Sequence, residues 1–168
     1  MVLMAVLGEL GAGKTLAMTY FALRNYWKGK TIYANYMLKK IPFTPVTNPE
    51  QITTMRDGFF AGDELWVWAD SRKSGSKSNK FITPILALSR KRGINICYTV
   101  QYFKQIDVRI RTVTDFIVMP RLNESESVCR AFVYASPAME LQRVFKFKTA
   151  PIFDLYDTRE EIGVLDVG

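Results

Sequence analysis

The eight residues from Gly8 to Thr15 read GELGAGKT, and they follow the apolar run Met1 to Leu7 without a spare residue. Glycines at 8, 11 and 13 let backbone N–H groups converge on an anion at distances that a Cβ would forbid. Lys14 adds a cation for terminal phosphate oxygens, and the Thr15 hydroxyl can join a magnesium shell. A helical repeat starts at Lys14, so the loop opens a helix whose N-terminal partial charge attracts the same phosphates. Strand, glycine loop and helix in direct succession predict a nucleotide-phosphate cradle built from Gly8, Gly11, Ala12, Gly13, Lys14, Thr15 and Leu16. They also constrain the fold, because a short continuous apolar run before such a loop is a central parallel strand buried on both faces.

The rest of the chain continues the alternation of strands and helices. The helix predicted over Lys14 to Trp27 is stopped by Gly29, and a second strand, TIYANY, covers Thr31 to Tyr36. Asn35 near its end either faces the nucleotide cleft or caps the turn, and the turn is the simpler role. Three prolines between Ile41 and Pro49 demand an irregular crossing, after which Asn48 caps a short helix running to about Met55. The stretch Gly58 to Glu64, GFFAGDE, is an apolar strand tipped by two carboxylates. Hydrolysis of a triphosphate needs such a pair: Asp63 to hold magnesium and Glu64 to polarise the attacking water. Leu65 to Asp70 offers an alternative metal carboxylate in Asp70, but Ser71 beside it has no histidine or lysine base and would activate water poorly. Ser71 to Lys80 reads as a basic, serine-rich loop and Phe81 to Arg92 as a helix ending in SRKR. The strand Ile94 to Val100 carries Gln101 at its tip, where an amide can donate to a γ-phosphate and accept from water. A short helix within Phe103 to Thr114 carries Arg109 and Arg111, and a fifth strand spans Asp115 to Met119. Pro120 to Ser127 is predicted as a polar turn. Val128 to Ala135 and Val144 to Thr149 alternate like paired strands with one open face. In the tail from Phe153 to Glu161 the aromatics should dock and the acids stay solvated.

Charge narrows the partners. The net charge is +7, and between Asp70 and Asp107 there are eight cations and no acid. Segregation of that kind points to a polyanion-facing surface, with Arg72, Lys73, Lys77 and Lys80 as its DNA-facing candidates. The absence of histidine removes the commonest metal ligand and general base. Cys97 and Cys129 sit in apolar runs and read as small buried hydrophobes. No stretch reaches the roughly 20 apolar residues of a membrane span, and the N-terminal run has no basic leader. The expectation is a single domain over 1–168 in the host cytoplasm, with virion association or a peripheral membrane position as variants.

The order of these motifs resembles the additional-strand catalytic-glutamate branch of the P-loop ATPases. The stretch SRKRGINICYTVQYFKQIDVRIRTVTDFIVMPR, Ser89 to Arg121, is similar to zonular occludens toxin-like phage proteins and to archaeal and viral DNA-pumping ATPases of the FtsK and HerA superfamily. TIYANYML and the DE pair with a later DSR, Asp70 to Arg72, add to the likeness, which covers about Met1 to Arg121. The resemblance implies a three-layer α/β P-loop NTPase fold with a mainly parallel sheet, extended here by a C-terminal β-hairpin. It implies ATP and Mg2+ as cofactors, and a motor that translocates or packages DNA, working as a homo-oligomeric ring, often a hexamer, with a capsid or membrane assembly partner. Lys14, Glu64 and Gln101 would then be catalytic, Thr15 and Asp63 would hold the metal, and an arginine in trans would come from Arg90, Arg92, Arg109 or Arg111. A small nucleoside or nucleotide kinase and an ATP-gated assembly scaffold are the alternatives that share the loop.

Overall fold

The computed structural model describes residues 2–65, 92–106 and 108–157. The basic loop 71–80, most of the helix expected over 81–92, and Asp70, Arg72, Lys73, Lys77, Lys80 and Arg90 lie outside the described residues.

In chain order the elements are β1 (Leu3–Leu7), α1 (Lys14–Tyr26), β2 (Thr31–Ala34), β3 (Thr44–Pro45), a 3-10 helix (Pro49–Thr54), β4 (Gly58–Gly62), β5 (Asn95–Val100), a second 3-10 turn (Phe103–Gln105), α2 (Val108–Val113), β6 (Phe116–Asn123), β7 (Val128–Ala135), β8 (Glu140–Lys148) and α3 (Ala150–Phe153). They form one eight-stranded sheet in the order β3-β2-β4-β5-β1-β6-β7-β8. From β3 to β6 neighbouring strands are parallel, and β6, β7 and β8 are antiparallel. Because the parallel strands all point one way, the loops after β1, β4 and β5 emerge along a single edge.

The sheet separates two apolar layers, as parallel strands buried on both faces require. On one side α1 buries Leu16, Ala17, Met18, Phe21 and Ala22 against Val6, Phe59, Ala61, Cys97 and Val118. On the other, Leu3, Ala5, Phe60, Ile96 and Tyr98 pack with Ile52, Met55, Ile106 and Ile110. Both cysteines are free and buried, and burial pushes the Cys129 thiol up to about 11, so each serves as core.

Several boundaries depart from the sequence reading. The helix after Asn48 is 3-10, with the expected cap: Asn48 Oδ1 accepts from Gln51 N at 3.1 Å while Gln51 Oε1 accepts from Asn48 N at 3.2 Å. The proline-rich crossing contributes two residues, Thr44 and Pro45, as a strand beside β2. The turn expected over 120–127 shrinks to 124–127, since β6 continues through Pro120 to Asn123. The reason is geometric. β1 pairs with β6 only over Phe116–Val118, so Pro120 lies where one side of β6 has no ladder partner, and a strand tolerates proline there.

The hairpin is fastened to α1 by rings. Tyr20 stacks on Phe147 with centroids 3.9 Å apart and planes 4° from parallel, and Phe145 meets Phe21 edge-on at 5.3 Å. Beyond β8, Leu155 and Tyr156 are buried, with Lys39 N donating to Leu155 O, while Asp154 and Asp157 stay at the surface beside Lys40 and Lys39. Phe147→Ala should therefore lower unfolding stability by about 2 kcal/mol, the loss of a half-buried ring and its stacking partner, read by urea denaturation. No loss would show that the hairpin is not held by α1.

Candidate functional site

The loop after β1 owes its path to glycine at two kinds of position. A Cβ on Gly8 would come within 2.8 Å of the Ala12 Cβ, so the chain could not close on itself. Gly11 and Gly13 have φ of 79° and 87°, the left-handed region that other residues enter only with strain. Gly13 caps α1, and its carbonyl accepts from Ala17 N at 2.9 Å. The first turn of α1 holds no acid of its own, so the partial positive charge at its N-terminus is not neutralised from within the helix. Lys14 Nζ donates to the Glu9 carbonyl at 2.9 Å, folding the lysine back over the loop.

The acidic pair comes to the same place from β4. Asp63 is 8% exposed, and its backbone is clamped by Asn35: Asp63 N donates to Asn35 Oδ1 at 2.7 Å, and Asn35 Nδ2 donates to Asp63 O at 2.8 Å. The Asp63 carboxylate takes one hydroxyl on each oxygen. Thr15 Oγ1 donates to Oδ2 at 2.8 Å, and Thr99 Oγ1 donates to Oδ1. Thr99 also accepts from Glu64 N at 2.8 Å, so one buried threonine on β5 orients both members of the pair. Glu64 has a φ of 48°, and this turn seats Leu65, 1% exposed, in the core.

Charge and burial oppose one another here. Burial pushes the Asp63 carboxyl above its ordinary range, against the pull of its two hydroxyl bonds and of Lys14. Burial and then the neighbouring Asp63 charge raise Glu64. Burial lowers Lys14, and the two carboxylates partly restore it. The cation acting on both acids is Lys14.

Lys14, Thr15, Asp63 and Glu64 thus meet at one edge of the sheet. Gln101, at the end of β5, lines an adjoining cleft of about 940 Å³ with Gly8, Glu9 and Ala12 on one side and Met119, Pro120 and Arg121 on the other. Of the candidate arginines, the three described, Arg92, Arg109 and Arg111, do not join them. Arg92 lies before β5, its carbonyl accepting from Asp57 N just before β4, at the sheet edge opposite the glycine loop. Arg109 is on the exposed side of α2, and the Arg111 charge acts on Tyr98, halfway along β5.

Two residues that build this site carry weak signals in the sequence. Asn35 looked like a turn residue, whereas it holds the tip of β4. Thr99 stands inside a β-branched strand, where threonine is an ordinary strand former, and only its two-residue offset from Gln101 sets it at the strand's C-terminal end.

The donors present suit magnesium carried in on a triphosphate. Among the described residues no cluster of three or more His, Cys, Asp or Glu could hold a metal by itself. One carboxylate and one hydroxyl, already 2.8 Å apart, are what such an ion takes from protein when phosphates and waters supply the rest.

A glycine loop opening the first helix, with β5 interposed between the strand before that loop and the strand bearing the acidic pair, defines the three-layer P-loop NTPase fold of the additional-strand type. Solved structures agree. The N-terminal domain of zonular occludens toxin from Neisseria meningitidis matches with a TM-score of 0.62 at 20% identity, covering 94% of this chain and 100% of that one. The flagellar accessory protein FlaH from Methanocaldococcus jannaschii gives 0.57 at 14%, with 88% and 84% covered. The genome packaging NTPase B204 from Sulfolobus turreted icosahedral virus 2, in complex with ATP-gammaS, gives 0.53 at 9%, with 88% and 97% covered. At these identities the likeness is one of fold. The sequence matches no protein-family model and no curated protein.

Ionised Asp63 costs the fold stability, because its folded pKa lies above the ordinary 3.8. The cost is absent below about pH 4, where the carboxyl is protonated in both the folded and the unfolded chain, and it appears as pH rises through the folded value. Asp63→Asn, which cannot ionise, should therefore melt above the parent at pH 7 in metal-free buffer, with the gap closing toward pH 4. A lower melting point at pH 7 would mean that the hydroxyl bonds outweigh burial.

Proposed function

We propose that this protein hydrolyses ATP to move or package DNA for a virus or mobile element. The observation that carries the hydrolytic part is the bond from Thr15 of the glycine loop to Asp63 at the tip of β4, which sets Glu64 beside the phosphate cradle. The loop amides and Lys14 bind and orient the triphosphate. Thr15 and Asp63 would hold Mg2+, which neutralises charge on the β and γ oxygens. Glu64, its carboxyl raised by burial, takes a proton from the attacking water as the new P–O bond forms and the bond to the β-phosphate oxygen breaks, releasing ADP and phosphate. Gln101 orients that water from the cleft.

The DNA part rests on the acid-free basic stretch of the sequence and on the fold shared with a genome packaging NTPase. Arg92 lies at the sheet edge opposite its own loop, so any part it plays at a phosphate site would be in a second copy, as a ring would allow. Among the described residues no helix is long and apolar enough to cross a membrane.

Glu64→Gln should cut turnover about 100-fold or more while ATP affinity stays within about threefold, measured by phosphate release and by binding of a fluorescent ATP. Unchanged turnover would remove Glu64 as the base, and a parent that binds ATP without releasing phosphate would favour a scaffold that only binds. Hydrolysis by the parent should rise on adding DNA at low salt; indifference to every DNA tested would remove the motor, and phosphate transfer to a nucleoside would replace it with a kinase.

A further inference from the structure

One face of the antiparallel part of the sheet is closed and the other is open. Cys129, Ala131 and Val133 of β7, with Phe145 and Phe147 of β8, pack on the α1 side. Alternation then turns Arg121, Arg130 and Lys146 to the other face, and the register sets them in one row: Arg121 opposite Arg130, and Arg130 opposite Lys146. Neighbouring strands are about 4.8 Å apart, so the row spans about 10 Å. Like charges directly opposite one another destabilise a sheet, so folding alone does not favour this row. Arg130 is partly offset by Glu126 at 3.3 Å, while Arg121 and Lys146 have no acidic partner among the described residues. Across β6, β7 and β8 the cations are Arg121, Arg130, Arg143, Lys146 and Lys148, against Glu140 alone.

The next row on the same face is apolar: Met119, Phe132 and Val144, the last 43% exposed. The Arg121 guanidinium lies 5.4 Å from the centre of the Phe132 ring. Arg121 and Met119 also border the cleft shared with the glycine loop, Gln101 and Lys104, where Tyr102 stands 60% exposed at the lip. A cationic row beside an apolar, aromatic row on an open sheet face is the chemistry that holds a strand of phosphates on one side and its base faces on the other. A duplex hides those base faces, and an acidic peptide gains nothing from the rings.

We propose that the open face of β6, β7 and β8 binds single-stranded DNA and delivers it to the lip of the nucleotide cleft. This rests on the motor reading and extends it: the strand would run beside Gln101, so that its passage and the state of the phosphates are felt by the same loop.

The test uses the full chain, with Arg130→Gln and Lys146→Gln combined and Arg121 left intact because it borders the nucleotide cleft. Binding of fluorescent oligo-dT is followed by anisotropy across a salt series. The double variant should bind roughly tenfold more weakly, with the slope of log K against log salt reduced by about 1.4. Its hydrolysis of ATP without DNA should equal the parent's, and its melting point should be equal or higher, since repulsion is removed. Arg130→Lys with Lys146→Arg should bind like the parent. If the parent binds oligo-dT and the double variant binds it equally well with the same slope, this face is not the site and the motor reading stands without it. A loss confined to duplex DNA, or a loss in the charge-conserving variant, overturns the single-strand assignment. A parent that binds no nucleic acid overturns both this inference and the motor.

Discussion

A single carboxylate nearly removed from water organises the working edge of this protein. Asp63 is held by a hydroxyl from α1, a hydroxyl from β5 and an amide from the loop after β2, so three separate parts of the chain are pinned to the tip of β4. A buried ionised carboxylate is costly unless such bonds replace water. The sheet order makes them possible. With β5 between β1 and β4, the glycine loop and the acidic pair are separated by two strand spacings, about 10 Å. Thr99 stands on the intervening strand and fills that gap.

The backbone at the tip of β4 is shaped to the same end. A Cβ on Gly62 would lie 2.5 Å from the Leu65 side chain, so glycine is what lets the chain fold back over the strand end. Glu64 then adopts a left-handed conformation at a cost of about 1–2 kcal/mol. Burial of Leu65 contributes about 2 kcal/mol and the Glu64 to Thr99 bond about 1 kcal/mol in return. The strained residue is the one beside Asp63 at the tip of β4, and its neighbour Leu65 in the core is what keeps it there.

The readable parts of the sequence were those whose chemistry is local. Gly8 to Thr15 announces itself because loop, cation and helix start are adjacent in the chain, and the strands β1, β4 and β5 because apolar runs of that length suit buried parallel strands. The parallel sheet and the paired hairpin strands followed from the same patterns. Asn35 and Thr99 were not legible as site residues, since each acts on Asp63 from 28 or 36 positions away and looks like a turn or strand former on its own. The continuation of β6 past Pro120 was hidden for a related reason: proline breaks strands only where a ladder needs its N–H, and which side of β6 lacks a partner is a property of the assembled sheet.

The same separation in sequence explains an electrostatic feature that no local pattern carries. Glu64 and Asp63 are both pushed toward protonation by burial, and Lys14 toward losing its proton, yet each carboxylate helps keep the lysine charged and the lysine helps keep them ionised. The cluster therefore holds two acids against one cation. A triphosphate entering beside it would meet repulsion from the acids that a lone lysine and the helix terminus offset only in part. Asp63 and Thr15 are the groups that would hold a divalent cation here, and its charge would offset that repulsion, so that nucleotide and metal would each raise the affinity of the other by the same factor. In the roles proposed for it, the acidic pair would do more than supply a ligand and a base. It would make the bare nucleotide a poor occupant and the metal complex a good one, a selectivity that would follow from the burial of Asp63.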